Sequence, residues 1–164
     1  MQHRLIVMRH AKSDWNAGAG SDHERPLNHR GRRDAPQVAQ RLSEIDWQPE
    51  HVISSDSRRT TETWERMVET WTEEPTVCFE RSLYHAGIVA VRMALSVLGD
   101  DVRTAMVLGH NPGWEEVVDV LSGQDERMTT ANAALLTIES SGWADAILLD
   151  GCWALETVLR PKEI

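Results

Sequence analysis

Apolar residues along the chain follow two alternating patterns. Short unbroken apolar runs read as strands: Leu5-Ile6-Val7-Met8 fits one buried on both faces, His51-Val52-Ile53-Ser54 is a second, Thr76 to Phe79 a third candidate, and Thr104-Ala105-Met106-Val107-Leu108 a buried strand. Between them, apolar residues recur at helical spacing. Ala35, Val38, Ala39 and Leu42 form one stripe, and Trp64, Met67, Val68 and Trp71 a second. Ile88, Val91, Leu95 and Leu98 form a third, and Trp114, Val117, Val118 and Leu121 a fourth. Pro36 leaves the first helix two starts, either at Asp34 as N-cap or earlier with a kink at the proline. Asn111 is placed to cap the fourth helix, with Pro112 suited to its first turn. Ala134 to Glu139, Ala144 to Leu149 and Trp153 to Leu159 read as strands, joined by a Ser-Gly turn and Asp150-Gly151.

Strand and helix alternate through most of the chain. This predicts an α/β fold, a three-layer sandwich with a mainly parallel central sheet flanked by helices. No internal repeat, linker or low-complexity stretch interrupts it, so residues 1–164 are expected to form one domain.

Composition narrows the function classes. Hydrophobic residues make up 41% and charged residues 26%, as in ordinary globular proteins. A net charge of −9 argues against nucleic acid as partner, since such proteins present a basic face. It leaves room for a small phosphorylated ligand held by a local arginine cluster. The apolar run near the N-terminus is too short for a signal peptide or a membrane span, which predicts a cytoplasmic location and no membrane partner. Cys78 and Cys152 are too few for a disulfide framework and are expected to be buried, reduced thiols. No His-x-x-x-His, Cys-x-x-Cys or Asp-rich cluster has metal-ligand spacing, and no glycine-rich nucleotide motif occurs. No metal or cofactor is expected.

In a parallel sheet, ligands gather beyond the carboxyl ends of the strands. Arg9-His10 follows the first strand, Ser54 to Arg59 the second, and His110 the strand ending at Leu108. Taken singly, each has a plain structural account: a strand-end pair, a helix-capping loop with solvated arginines, a tight turn. Together they deliver the parts phosphoryl transfer needs. Two guanidiniums offer forked, charge-assisted donors to non-bridging oxygens, one imidazole adds a donor, and the other serves as nucleophile when neutral.

These residues match a known pattern. Arg9-His10-Ala11-Lys12-Ser13-Asp14-Trp15-Asn16 resembles the signature of the histidine phosphatase, or phosphoglycerate-mutase-like, superfamily, and within it the SixA-type phosphohistidine phosphatases. Arg25-Pro26-Leu27-Asn28 with Gly31, Ser55 through Thr63, Leu83-Tyr84-His85-Ala86 and Leu108-Gly109-His110-Asn111-Pro112-Gly113 agree in order along nearly the whole chain. The resemblance implies that His10 is the phosphorylated nucleophile, Arg9 and Arg59 clamp the phosphoryl group, and His110 completes the pocket. It also implies Ser13 and Asn16 as further phosphate or substrate contacts. The implied substrate is a phosphorylated protein or a small phosphorylated metabolite.

Two departures stand out. The usual glycine after the nucleophile is Ala11. Where many members carry a glutamate acid, the segment Glu80 to His85 places Ser82. A missing acid suits phosphohistidine better than an alkyl phosphate, because that leaving group is protonated readily by bulk water. Glu80 and His85 are the nearby proton-donor candidates, with solvated loop residues as the alternative reading. Trp15 either lines the pocket or does not, and His23 and His29 read as exposed loop residues. A small-molecule phosphomonoesterase and a silent phosphate-binding module remain alternatives. The oligomeric state is not legible in the sequence.

Overall fold

A computed structural model describes residues 1–164. Six strands form one sheet: β1 (Gln2–Arg9), β2 (His51–Ser55), β3 (Thr76–Glu80), β4 (Thr104–Gly109), β5 (Ala133–Glu139) and β6 (Ala154–Leu159). Its order is β3-β2-β4-β1-β5-β6. The first four strands are mutually parallel, while β5 and β6 join antiparallel. The helices are α1 (His29–Glu44), α2 (Arg58–Val68), α3 (Ile88–Leu95), α4 (Gly113–Ser122) and the single turn α5 (Trp143–Ala146).

The period-2 alternation of side chains along β1 splits the core into two layers. Ile6 and Met8 pack with Ala35, Val38, Ala39 and Leu42 of α1 and with Trp64 and Met67 of α2. Leu5 and Val7 pack on the other face with Ile88, Val91 and Leu95 of α3 and with Trp114, Val117 and Leu121 of α4. This is the expected three-layer α/β sandwich.

Of its two expected starts the first helix takes the earlier one: Asn28 is its N-cap, its side chain accepting from Gly31 N–H at 2.9 Å, and Pro36 lies inside. The buried stripe from Ala35 to Leu42 holds the helix despite the proline's missing donor. Local expectations diverge at three other places. Pro112, not Asn111, stands at the cap of α4, although Asn111 Oδ1 accepts from Glu115 N–H at 3.3 Å.

Ala144 to Leu149 is not a strand. Trp143, Ala146 and Ile147 share one helical face and are fully buried, which outweighs the strand-like composition of the segment. The two cysteines are exposed, not buried. Cys78 sits on β3, an edge strand paired on one side only, and Cys152 lies in the turn before β6, so apolar neighbours in sequence do not cover either.

Gly31 sets how closely α1 approaches the segment leaving His10. A Cβ there would lie 2.1 Å from the Lys12 carbonyl oxygen, which already accepts from Asn28 N–H at 2.9 Å. Backbone on both sides leaves little room to yield. Gly31→Ala is expected to destabilise the fold by about 1–3 kcal/mol, measured by urea denaturation.

Candidate active site

Register brings the site together. Arg9 pairs with Gly109 across β1 and β4, and Ser54 pairs with Leu108 across β2 and β4. Three adjacent parallel strands therefore end level, and His10, His110 and the start of α2 emerge on one rim.

His10 is 6% exposed, Arg59 and His110 1% each. His10 Nδ1 lies 2.7 Å from the carbonyl oxygen of Ala11. A carbonyl only accepts, so Nδ1 carries the hydrogen and Nε2 presents its lone pair. Arg59 Nε donates to that Nε2 at 3.3 Å. Its Nη2 donates to His110 Nδ1 at 3.2 Å and to Asp22 Oδ2 at 3.0 Å, and its Nη1 to the Asp22 carbonyl at 2.8 Å. His110 therefore carries its hydrogen on Nε2, which donates to Ser55 Oγ at 2.9 Å.

Thr63 fastens this cluster to the scaffold. Its hydroxyl donates to the Arg59 carbonyl at 2.7 Å and accepts from Ala11 N–H at 3.0 Å, tying α2 to the residue after His10. Arg9 donates from Nη1 to the Met128 carbonyl at 3.2 Å, while its buried Nε has no acceptor. The buried Nε of Arg25 also has none. Two cationic N–H groups thus lack an acceptor on arginines whose charges act on His10.

Electrostatics keep both imidazoles neutral. Burial, with the Arg59, Arg9 and Arg25 charges beside it, pushes His10 down to about 3 against the hydrogen bond to Ala11. Burial, then the charges of His10, Arg59 and His85, push His110 down to about 2. Burial lowers Arg9 as well, with Glu115 opposing. For Asp22, burial pushes upward, but hydrogen bonds from Tyr84, Arg25 and His85 and the charge of Arg59 together hold its carboxyl well below the ordinary range.

The remaining expected residues separate. Ser13 is buried and accepts from Arg25 Nη1, which places it behind Arg25. Asn16 is exposed and bonds only through its backbone N–H, to Asp14 at 2.8 Å. Trp15 is 71% exposed and stacks on the Arg25 guanidinium, 3.6 Å from its carbon to the ring centre. Glu80 is exposed and free of side-chain partners, whereas His85 Nε2 donates to Asp22 Oδ2 at 2.9 Å. His29 is exposed as expected; His23 is partly buried and bonds Asp56 at 2.8 Å.

Asp22, Arg25 and Tyr84 were not among the expected site residues. Asp22 Oδ1 accepts from Arg25 at 2.9 Å, and Oδ2 accepts from Arg59, His85 and, at 2.5 Å, the Tyr84 hydroxyl. Nothing in the run Ser21-Asp22-His23-Glu24 separates this carboxylate from solvated ones. Arg25 and Tyr84 at least fall inside recognisable motifs.

Comparison with known proteins agrees with this geometry. The histidine phosphatase superfamily (branch 1) matches residues 5–80, a span containing Arg9, His10 and Arg59. An uncharacterized chloroplastic protein of Arabidopsis thaliana is 38% identical over 170 residues, covering 96% of this chain and 78% of the plant protein. The SixA protein of Nakamurella multipartitia superposes with a TM-score of 0.81 at 26% identity, covering 98% of this chain and 97% of that one. A protein histidine phosphatase SixA complexed with tungstate has the same fold, with a TM-score of 0.81 at 23% identity and 99% of each chain covered.

Two outcomes are expected from this geometry. Thr63→Val leaves the Ala11 N–H buried without an acceptor and should cost about 1–3 kcal/mol in urea unfolding. The histidines titrate near 6.5 when unfolded but stay neutral in the fold down to about 3 and about 2. Below pH 6.5 the unfolded chain therefore binds more protons. Stability should be full above about pH 6.5 and fall progressively down to about pH 3, and His110→Asn should flatten that fall in urea titrations.

Proposed function

This chain belongs to the histidine phosphatase superfamily, with a fold of the SixA type, and from that premise we propose that it hydrolyses phosphorylated substrates through a phosphoryl group carried on His10. One observation carries the reading: Ala11 O holds the Nδ1 hydrogen, so the Nε2 lone pair faces the Arg59 guanidinium. The nucleophile stands beside the donors that would hold its target.

An incoming phosphoryl group exchanges contacts with this cluster. Arg59 turns its donors from the imidazoles and Asp22 to non-bridging oxygens, and the free N–H groups of Arg9 and Arg25 add to them. His10 Nε2 attacks phosphorus in line, forming the P–N bond as the leaving group departs on the far side. Its neutrality is secured by burial and the surrounding positive charge. Water then attacks the phosphoimidazole, releasing phosphate and free His10. His110, held by Ser55 through Nε2, lines the pocket beside Arg59.

Phosphohistidine on a protein is the substrate we favour. Residues 81–87 and 110–112 are the whole of the connections from β3 to α3 and from β4 to α4, and neither builds a lid over the rim. Asp22 and His85, at the mouth, are 40% and 49% exposed. A phosphate borne on a protein surface can reach such a site.

After incubation with an aryl phosphate and a rapid quench, an acid-labile phosphoryl adduct on His10 is expected. His10→Ala should remove it and lower kcat on the order of 1,000-fold or more. Tungstate or vanadate should inhibit, and a chelator should leave turnover intact. Turnover unchanged in His10→Ala would refute the mechanism, and phosphate binding without turnover would make the protein a binding module.

A further inference from the structure

Where the leaving group finds its proton is not answered by the four residues around the phosphoryl position. The segment after β3 is built to hold one side chain at the mouth. His85 has a φ of 51°, in the left-handed region that side chains other than glycine seldom occupy. The turn is locked from behind. A Cβ on Gly113 would lie 1.6 Å from the Ala86 carbonyl oxygen, so this stretch presses directly on the start of α4. Ile88 N–H donates to Glu116 Oε1 at 3.2 Å, anchoring the other end.

The strained turn delivers the His85 ring to the cluster. Its centroid lies 4.9 Å from that of His110 and 4.2 Å from that of Tyr84. Nε2 donates to Asp22 Oδ2, the same oxygen that accepts from Arg59 at 3.0 Å. The groups facing the ring are Asp22 from the β1–α1 loop, Arg59 of α2, His110 after β4 and the adjacent Tyr84. In-line attack by the deeply buried His10 sends the leaving group outward, to where the half-exposed His85 stands.

Other donors at the mouth fail for separate reasons. Asp22 is held ionised and has no proton to give. Burial and the Asp22 hydrogen bond make the Tyr84 phenol less acidic than usual. Arg59 does not deprotonate. Glu80 is exposed and makes no contact with the cluster.

We propose that His85, oriented by Asp22, is the proton donor to the leaving group, taking the place of the carboxylic acid that the chain lacks at Ser82. The inference rests on the phosphatase reading above. In the first step the His10 Nε2–P bond forms and the P–O bond to the leaving group breaks, while Asp22 keeps the Nε2 hydrogen of His85 and the proton on its Nδ1 passes to the departing oxygen. Imidazolium becomes imidazole. In the second step the neutral His85 takes a proton from the attacking water as its oxygen bonds to phosphorus and the P–N bond breaks. Both histidines return to their starting states. The device extends the reaction beyond phosphohistidine to leaving groups that depart poorly without a proton.

The test is a series of phosphate esters with increasingly basic leaving groups, from 4-nitrophenyl through phenyl to an alkyl alcohol, hydrolysed by the unaltered protein and by His85→Gly. Glycine accepts the left-handed turn without strain, so the fold is retained. In the variant, kcat/KM is expected to fall about 100-fold for the alkyl ester and no more than about 10-fold for 4-nitrophenyl phosphate, with added imidazole restoring the alkyl rate. An equal loss across the series, unrelieved by imidazole, would overturn the role of His85 and leave the phosphatase intact. Hydrolysis of phosphohistidine without hydrolysis of any ester by the unaltered protein would also overturn the role of His85, and hydrolysis of neither would overturn both.

Discussion

The site depends on the single guanidinium of Arg59. From a nearly fully buried position it donates to His10, to His110 and to two oxygens of Asp22. A buried cation must have every donor placed or it costs more than it contributes. Here the placing is shared among three chain segments that are far apart in sequence. The same contacts fix the tautomers of both imidazoles, since a guanidinium can only donate. Arg59 is thereby the organiser of the site.

That arrangement needs a rigid frame, which the parallel half of the sheet provides. β2, β4 and β1 are neighbours in level register, so the residues after each strand emerge at the same height. Helices on both faces cover the strands, which is why these strands are apolar throughout and not alternating. Thr63 then converts sheet geometry into site geometry, because one hydroxyl spans the gap between the Arg59 carbonyl and the Ala11 amide. The scaffold thus holds His10 through the adjacent backbone as well as through its ring.

Charge divides the site in two. Inside, burial and arginines strip protons from His10 and His110 and leave them neutral. At the mouth, Asp22 gathers Arg25, Arg59, Tyr84 and His85 around one carboxylate. Positive charge lies inside, beside the two imidazoles, and the ionised carboxylate lies at the mouth. The overall acidity of the chain has no bearing on this, since the fields that matter act over a few ångströms of low-dielectric space.

The sequence alone determined the two-layer packing, because apolar runs and helical stripes report directly which faces avoid water. It also placed Arg9, His10, the Ser54 to Arg59 stretch and His110 beyond strand ends that share a rim, while the choice of Arg59 over Arg58 came from the family resemblance. Other features were decided by contacts between distant residues. Trp143, Ala146 and Ile147 made a helical turn where composition suggested a strand, since burying that face outweighs local preference. Cys78 became exposed because β3 is an edge. Asn16 stayed outside the cluster, while Asp22 entered it from a loop of ordinary charged residues. A carboxylate's partners depend on where a loop folds back, and that path is set by tertiary hydrogen bonds such as His23 to Asp56 and Arg25 to Ser13, which leave no periodic trace in the chain.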